Sequence, residues 1–445
     1  MPRRASAESV QSAEPASRPG RADPARLRRD GDFRRLWLGQ TVSQLGEQTT
    51  LVVVPLFAVL TLDAGAGRLG ALRAVGQAPI LLLSLFAGAW VDRWRTRLLM
   101  VVMDAGRALV LGAAAVAGLL GALGLPALFT VAFVVGSLSV FFDVAYQASL
   151  VRLVRRDQLV GANSALEGSR SAAQIGGPAL GGLLVSALSA PVALASSAVF
   201  FALSFLSIRR IARPEAVPEH PRTEPRRPPV RRQIREGLRF VAGDPSLRTV
   251  CLASAAFQLF FAATMTVYLL FLPRDLHLPG AAVGLALAAP GPGALLGSLL
   301  AARLPGRFGH GLVLVSAAAL GDGAFLLVPA LHGPPAVTVP ELVAINVVFG
   351  TLGQLVNVTI MAVRQTVTPD GMQGRAAATI TFVGMGTAPL GSLLGGFLAG
   401  ECGTRPSLLA TAAGMLLSPV LMALSPLARL GRTLPSPPEA PARSA

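Results

Sequence analysis

The chain has 445 residues, 52% of them hydrophobic and only 14% charged, with a mean hydropathy of +0.59. A water-soluble chain covers its surface with about 25% charged residues, so this balance excludes ordinary soluble domains and a disordered protein alike. The net charge of +16 comes from 39 basic residues, all of them arginine. With no lysine there is no Walker-type phosphate lysine, no Schiff base and no lysine general base. The glycine-rich stretch 291–297 lies in an apolar run and lacks a Lys-Ser/Thr ending. Two cysteines exclude a disulfide framework, and 23 acids with 4 histidines offer no dense constellation for an enzyme, a metal or a cofactor.

Residues 1–30 are rich in Arg, Ser, Ala, Pro and Glu without an apolar core. They read as a disordered tail, neither signal peptide nor span. Apolar stretches of bilayer-crossing length then recur near 36–62, 70–91, 98–121, 126–148, 166–187 and 191–208. A second set lies near 247–272, 281–303, 311–331, 340–363, 375–399 and 406–427. Each carries the roughly 20 residues a helix needs to cross about 30 Å of hydrocarbon. Twelve is the expected number; a short or re-entrant pair at spans five and six would reduce it to ten. The expected fold is thus an all-α membrane protein, with the hydrophilic stretch 209–239 as a linker between bundles at 31–208 and 240–428, and a tail at 429–445.

The arginines place the ends. Arg34, Arg35, Arg95, Arg152, Arg307, Arg364, Arg429 and the 209–239 loop share one side, whereas Arg68, Arg274 and Arg405 lie on the other, with Arg73 close by. By the positive-inside rule both termini are cytoplasmic. The charge therefore reports topology and contact with the lipid bilayer, not nucleic acid. Cys251 and Cys402 fall on opposite sides, cannot pair and read as inert.

The halves repeat. A shift of about 212 residues brings Asp32 onto Asp244, Pro79 near Pro292, 152–161 near 364–374, and Pro178, Gly181 and Gly182 near Pro389, Gly391 and Gly395. This predicts two pseudo-symmetric six-helix bundles.

Acids within spans are costly, at roughly 2.5–3.5 kcal/mol each on insertion scales. Glu47 lies mid-span on one helical face with Ser43 and Thr50. A neutral Glu in such a setting can carry a proton and release it when wetted; a cation-substrate contact and a structural hydrogen bond are the other readings. Asp322 in the ninth span has no partner in sequence and is the second candidate for a proton or substrate site. Asp104 and Arg107 are spaced to pair along one face. With Asp143, Glu167 and Arg170 they read as one ion-pair network closing the cytoplasmic side. Gln77, Tyr146, Gln258, Tyr268, Asn346, Gln354 and Asn357 are candidate polar lining of a central cavity, and Phe57, Phe257, Phe260 and Phe261 its candidate apolar walls. Gly177, Pro178, Gly181 and Gly182 combine close approach with a proline kink. Packing alone accounts for them; so does an interface that biases which side opens.

The loop Gly88-Ala-Trp-Val-Asp92-Arg93-Trp-Arg-Thr-Arg97 resembles the loop signature of the major facilitator superfamily, with Arg95 and Thr96 as departures. The stretch 174–182 is similar to the Gly-Pro-x-x-Gly-Gly element of that superfamily's antiporter, or export, branch. Residues 103–107, 237–240 and 364–369 resemble its macrolide- and siderophore-exporter group. The resemblance implies a cytoplasmic gate at Gly88, Asp92, Arg93 and Arg97, and an acid after Gly46, which here is Glu47. It implies a secondary transporter, not an enzyme, that exchanges protons for a bulky amphipathic drug, macrolide, siderophore or other natural product. A monomer in a bacterial inner membrane is expected. An importer of a small organic solute, or a transport-inactive receptor or scaffold, remain the alternatives.

Overall fold

The computed structural model describes residues 30–91, 94–154, 158–212, 230–369 and 372–433, and among these all regular structure is helical. The first half comprises α1 (Gly31–Leu60), α2 (Ala66–Val91), α3 (Thr96–Leu119), α4 (Leu125–Leu153), α5 (Leu159–Ala187) and α6 (Ala190–Arg209). After α7 (Val230–Gly243) and α8 (Pro245–Arg274), the second half continues with α9 (Gly280–Ala288), α10 (Pro290–Ala301) and the short α11 (Leu304–Phe308). It ends with α12 (His310–Ala324), α13 (Pro335–Val367), α14 (Gln373–Gly386), α15 (Ala388–Cys402), α16 (Thr404–Met415) and α17 (Leu417–Ala423). Joined end to end, α9–α10, α14–α15 and α16–α17 are single spans, and α12 is extended by a 3-10 segment, Phe325–Ala330. Twelve rods result among the described residues.

Ten of the twelve are long and apolar enough to cross a membrane by length and composition. The two outside that set, α2 and α5, run for 26 and 29 residues and carry Arg68 and Arg73, and Asn163, Glu167 and Arg170, respectively. Large apolar side chains point outward around the bundle: Leu109 is 74% exposed, Leu299 69% and Phe397 63%. Such a belt suits hydrocarbon and would be an aggregation surface in water. Spans five and six are helices of 29 and 20 residues, longer than the short pair that a count of ten supposes.

The local chemistry explains the helix ends. Asp30 caps α1 by accepting from the backbone N–H groups of Asp32 (3.0 Å) and Phe33 (3.4 Å), and Asp244 caps α8 by accepting from Leu247 N–H (2.9 Å). The matched Asp32 sits two residues further on, within the first turn, where it accepts from Arg35 (2.9 Å) and from Ala212 N–H (3.0 Å), tying the end of the sixth span to the start of the first. Prolines break the second half more than the first: α9 yields to α10 at Pro290, and α14 to α15 beside Pro389. The lost N–H and the clash with the preceding turn account for both. By contrast α5 runs unbroken through Pro178.

The linker expectation needs correction at its end. Residues 230–239, read as part of a hydrophilic linker, belong to α7, an amphipathic helix that docks on α14. Glu236 joins Arg232 (2.9 Å) on α7 to Arg375 (2.7 Å) on α14. A Cβ at Gly237 would lie 2.6 Å from Thr379 Oγ1, so the glycine permits this approach. The arginine density that suggested linker is the solvent face of a helix. Residues 1–29, 213–229 and 434–445, which hold most of both expected tails and the rest of the linker, lie outside the described residues.

Among the described residues the halves pack together at one end. There an apolar core draws Val52, Leu56 and Leu69 from the first half together with Val267, Val283 and Ala399 from the second. At the end carrying the termini the cores are separate: Phe33, Leu36 and Leu99 gather in one half, Val241, Leu247 and Leu314 in the other. Two helix contacts form the closed seam. A Cβ at Gly284 of α9 would lie 2.9 Å from Gly182 Cα of α5, and one at Gly70 of α2 would lie 2.8 Å from Gly396 Cα of α15. A shift of about 214 residues carries Gly70 to Gly284 and Gly182 to Gly396, so one contact is the image of the other, as an internal pseudo-twofold axis requires.

Candidate functional site

Beneath the closed seam lies a cavity of about 450 Å³ between the halves. Its size is that of a small-molecule site. α1, α2, α4 and α5 form one wall; Phe261, Met265 and Leu269 of α8 and Leu287 of α9 form the other. Most of the lining is aliphatic or aromatic. The charged groups that reach it are Glu47, Asp143 and Arg73.

Glu47 stands mid-helix on α1, half-buried, with its carboxyl at the cavity and no hydrogen bond or ion pair among the described residues. Its position follows from helical spacing. Ser43, one turn earlier, points into the bundle, while Thr50, one turn later, returns its hydroxyl to Gly46 C=O (2.7 Å) and so does not compete for the carboxyl. Asp143 of α4 reaches the same cavity and is likewise without a hydrogen-bonding or ionic partner. An unpaired carboxyl facing a cavity can take a proton, hold a cation or do each in turn. No group of three or more His, Cys, Asp or Glu suited to a metal occurs among the described residues.

Asp322, Gln258 and Asn357 come together elsewhere. They line a second cavity of about 360 Å³ formed within the second half by α8, α12, α13, α14 and α17, with Phe257 and Arg364. Asp322 is buried there without a hydrogen-bonding partner. Tyr146 lines neither cavity and packs against the Phe142 cluster at the termini-bearing end. Of the other polar candidates Gln77 reaches the central cavity and meets Ser392 of the opposite half (3.5 Å), whereas Tyr268 and Asn346 bond to each other in the core (2.8 Å). Phe57 is buried behind the wall; Phe261 forms part of it and stacks with Phe257 and Phe349.

Of the five charges read as one network, Asp104 and Arg107 alone form an ion pair among the described residues, while Asp143 stays within electrostatic reach of Arg107 and Arg170. Asp104 and Arg107 are fully buried and paired with each other. Arg107 also donates to Ser43 Oγ (3.0 Å) and Ser139 Oγ (3.1 Å), Ser204 donates to Asp104, and the guanidinium lies 4.3 Å from the ring centroids of both Phe142 and Phe201. This cluster locks α1, α3, α4 and α6 together. Glu167 and Arg170 are exposed and form no ion pair, although they are three residues apart. Spacing permits a pair but does not compel one where water or a headgroup competes. Asp143 lines the cavity as well, without an ion pair of its own among the described residues.

Gly177, Pro178, Gly181 and Gly182 divide their work. Gly177 and Gly181 let α5 lie on Gln48, Thr49 and Val53 of α1, and Pro178 C=O and Gly182 face Gly284 across the seam. Of the expected gate, Gly88 lies within α2 near its end, and Asp92 and Arg93 lie outside the described residues. Arg97 donates to Arg209 C=O (2.7 Å), joining the start of α3 to the end of α6.

Arg73 is the cavity residue that sequence reasoning missed. In sequence it reads as a charge near the outer margin; in the structure its guanidinium lines the cavity and donates to Met265 C=O of the other half (3.3 Å). The signal was available, since an arginine well inside an apolar span is as costly as an acid.

Twelve helices in two bundles related by an internal pseudo-twofold axis, closed at one end over a shared cavity, define a major facilitator superfamily transporter, not an enzyme. The chain belongs to the transmembrane secretion effector family, whose model matches residues 24–439. It is 29% identical over 390 residues to a protein of Mycobacterium tuberculosis H37Rv named multidrug efflux pump Tap, covering 82% of this chain and 87% of that one. The namesake from Mycolicibacterium fortuitum is 28% identical over 394 residues, covering 86% and 93%. Among solved structures the fold is similar to a bacterial homologue of the iron transporter ferroportin (TM-score 0.68, 17% identity, 88% of this chain and 97% of that one). It is also similar to the nucleoside transporter NupG (TM-score 0.67, 15% identity, 88% and 98%).

Proposed function

We propose that this protein is a proton-coupled exporter of bulky amphipathic small molecules, working by alternating access in a bacterial inner membrane. The observation that carries the reading is the carboxyl of Glu47, without an ion pair among the described residues, in a mostly apolar cavity between two bundles that meet at one end. Insertion of such a group costs stability without a local structural return, which is what a coupling residue requires. Protonated, it suits the apolar wall; ionised, it attracts a cation or water. Binding of proton and of substrate then compete for one site, and an inward proton gradient drives the cargo out.

The naming of two relatives as multidrug efflux pumps supports export over uptake. So does the Gly-Pro-x-x-Gly-Gly stretch of α5, which lies on the seam that must part when the cavity changes sides. With the termini in the cytoplasm, the orientation that the arginine distribution supports, the closed seam faces outward and the cavity is loaded from inside. Asp92 and Arg93 are assigned to the cytoplasmic gate that closes in the opposite state, and Asp322 to a second polar contact in the second half. The chain acts as a monomer, since each copy holds both halves of the site.

Purified protein in proteoliposomes tests the assignment. Under an imposed pH gradient the wild-type chain exports ethidium, and Glu47→Gln abolishes the gradient-driven component while leaving binding. Undiminished gradient-driven export by Glu47→Gln, or accumulation in the reverse direction, contradicts it.

A further inference from the structure

The central cavity holds a cation as well as acids. Arg73 begins the third turn of α2, about 10 Å from the start of that helix at the closed seam by helical rise. Its guanidinium offers five N–H donors and uses one, toward the Met265 carbonyl at 3.3 Å. Nε is buried with no partner at all, and no carboxylate lies within ion-pair distance of the group among the described residues. A buried donor left unsatisfied is expensive, and a guanidinium within a span more so. Packing does not account for it: the neighbouring wall of Leu72, Gly76, Val131 and Leu269 is apolar and would accept a leucine.

The acids lie deeper. By the same rise Glu47 is about 20 Å, and Asp143 about 27 Å, from the closed ends of their helices. The cavity thus presents a planar donor fork beneath the seam and carboxyls on the order of 10 Å further toward the termini-bearing end. A molecule that satisfies both ends carries an acceptor group at its leading edge, an apolar body, and a basic group behind.

We propose that Arg73 is a substrate-binding residue that takes a carboxylate of the transported molecule, so that amphipathic zwitterions and acids are preferred cargo; this rests on the exporter reading above. The fork geometry of guanidinium matches a carboxylate bidentately. One donor holds the Met265 carbonyl of the opposite half, which leaves the others, Nε among them, for the carboxylate.

The test uses equilibrium binding to the full-length protein in nanodiscs, which needs no transport. The probes are norfloxacin, whose carboxylate and amine are joined by an apolar ring system, its methyl ester, which lacks only the carboxylate charge, and ethidium. The wild-type chain is expected to bind norfloxacin roughly tenfold or more tightly than the ester, the difference a charge-assisted bidentate bond supplies. Arg73→Gln removes that preference with ester and ethidium affinities held within about twofold, and Arg73→Lys keeps part of it, a charge without the fork. Equal losses for all three probes would make Arg73 a structural tie between the halves and overturn the proposal, as would unchanged norfloxacin binding in Arg73→Gln. A wild-type chain with no preference for the acid over the ester overturns it without any variant, so a poorly folding Arg73→Gln leaves the test intact. Failure of gradient-driven ethidium export, with the norfloxacin preference present, would instead sink the exporter reading and leave the site standing.

Discussion

Replacing Arg107 with methionine isolates the largest electrostatic commitment in the first half. The side chain is fully buried, paired with Asp104, bonded to Ser43 and Ser139, and held between Phe142 and Phe201. Methionine fills much of the volume but leaves Asp104 with only the Ser43 and Ser204 hydroxyls. Removing one partner of a buried pair costs about 3–5 kcal/mol, most of it the penalty of the orphaned charge. Asp104→Leu alone orphans the cation and belongs in the same range. The double variant Asp104→Leu with Arg107→Met removes both charges and leaves an apolar contact against the two phenylalanines, which is often neutral or stabilising. The expected coupling in a double-mutant cycle is therefore at least about 2 kcal/mol, with each single variant less stable than the double. Titration of the four purified proteins with SDS in mixed micelles reads this directly. Single losses that simply add, within about 0.5 kcal/mol, would show that the pair is not the unit holding α1, α3, α4 and α6 together.

Two further variants probe the seam in a background with Cys251 and Cys402 replaced by alanine, using Leu69→Cys, which is buried in the cross-half core, as a reporter for a membrane-impermeant maleimide. Gly284→Val places a side chain 2.9 Å from Gly182 Cα in the closed state alone; overpacking of about 1–3 kcal/mol should raise labelling of the reporter thiol about 5- to 150-fold. An unchanged labelling rate would mean that the glycine contact does not set the closed state. Arg274→Ala cuts the bonds from Arg274 to Asp63 (2.6 Å) and to Ala64 C=O (3.1 Å) across the same end, but Asp63 is 95% exposed. Such a pair is worth at most about 1 kcal/mol, so labelling should change less than about fivefold, and less again in high salt.

The spans were legible because lipid imposes a pattern that survives without an alignment: long apolar runs separated by arginine. Their repetition was legible through a few prolines and glycines, although of the four seam glycines only Gly182 was among the matched positions, and Gly70, Gly284 and Gly396 came to light through their contacts. Glu47 stood out for the same reason, an acid where acids are costly. Other features were hidden. Whether Asp143 pairs with Arg107 or faces a cavity depends on which way α4 is rotated, and spacing along one helix does not say. Arg73 was masked because the expected span began near 70, whereas the helix begins at Ala66, and α7 was masked by an arginine content that a linker and an interfacial helix share. Asp322 and Glu47, alike in sequence as lone acids, occupy separate cavities because α12 lies wholly within the second half.

Distances between the two ends of the bundles test alternating access most directly. One spin-label pair joins native Cys402, exposed at the closed end, to Leu188→Cys of the other half in a Cys251→Ala background. A second joins Arg210→Cys to Phe308→Cys at the termini-bearing end, with both native cysteines replaced. On adding a transported substrate under changing pH, the account predicts opposite movements: as the first distance grows the second shrinks, and Glu47→Gln suppresses the response to pH. Distances that move together, or an end that stays fixed while substrate is carried, would contradict it.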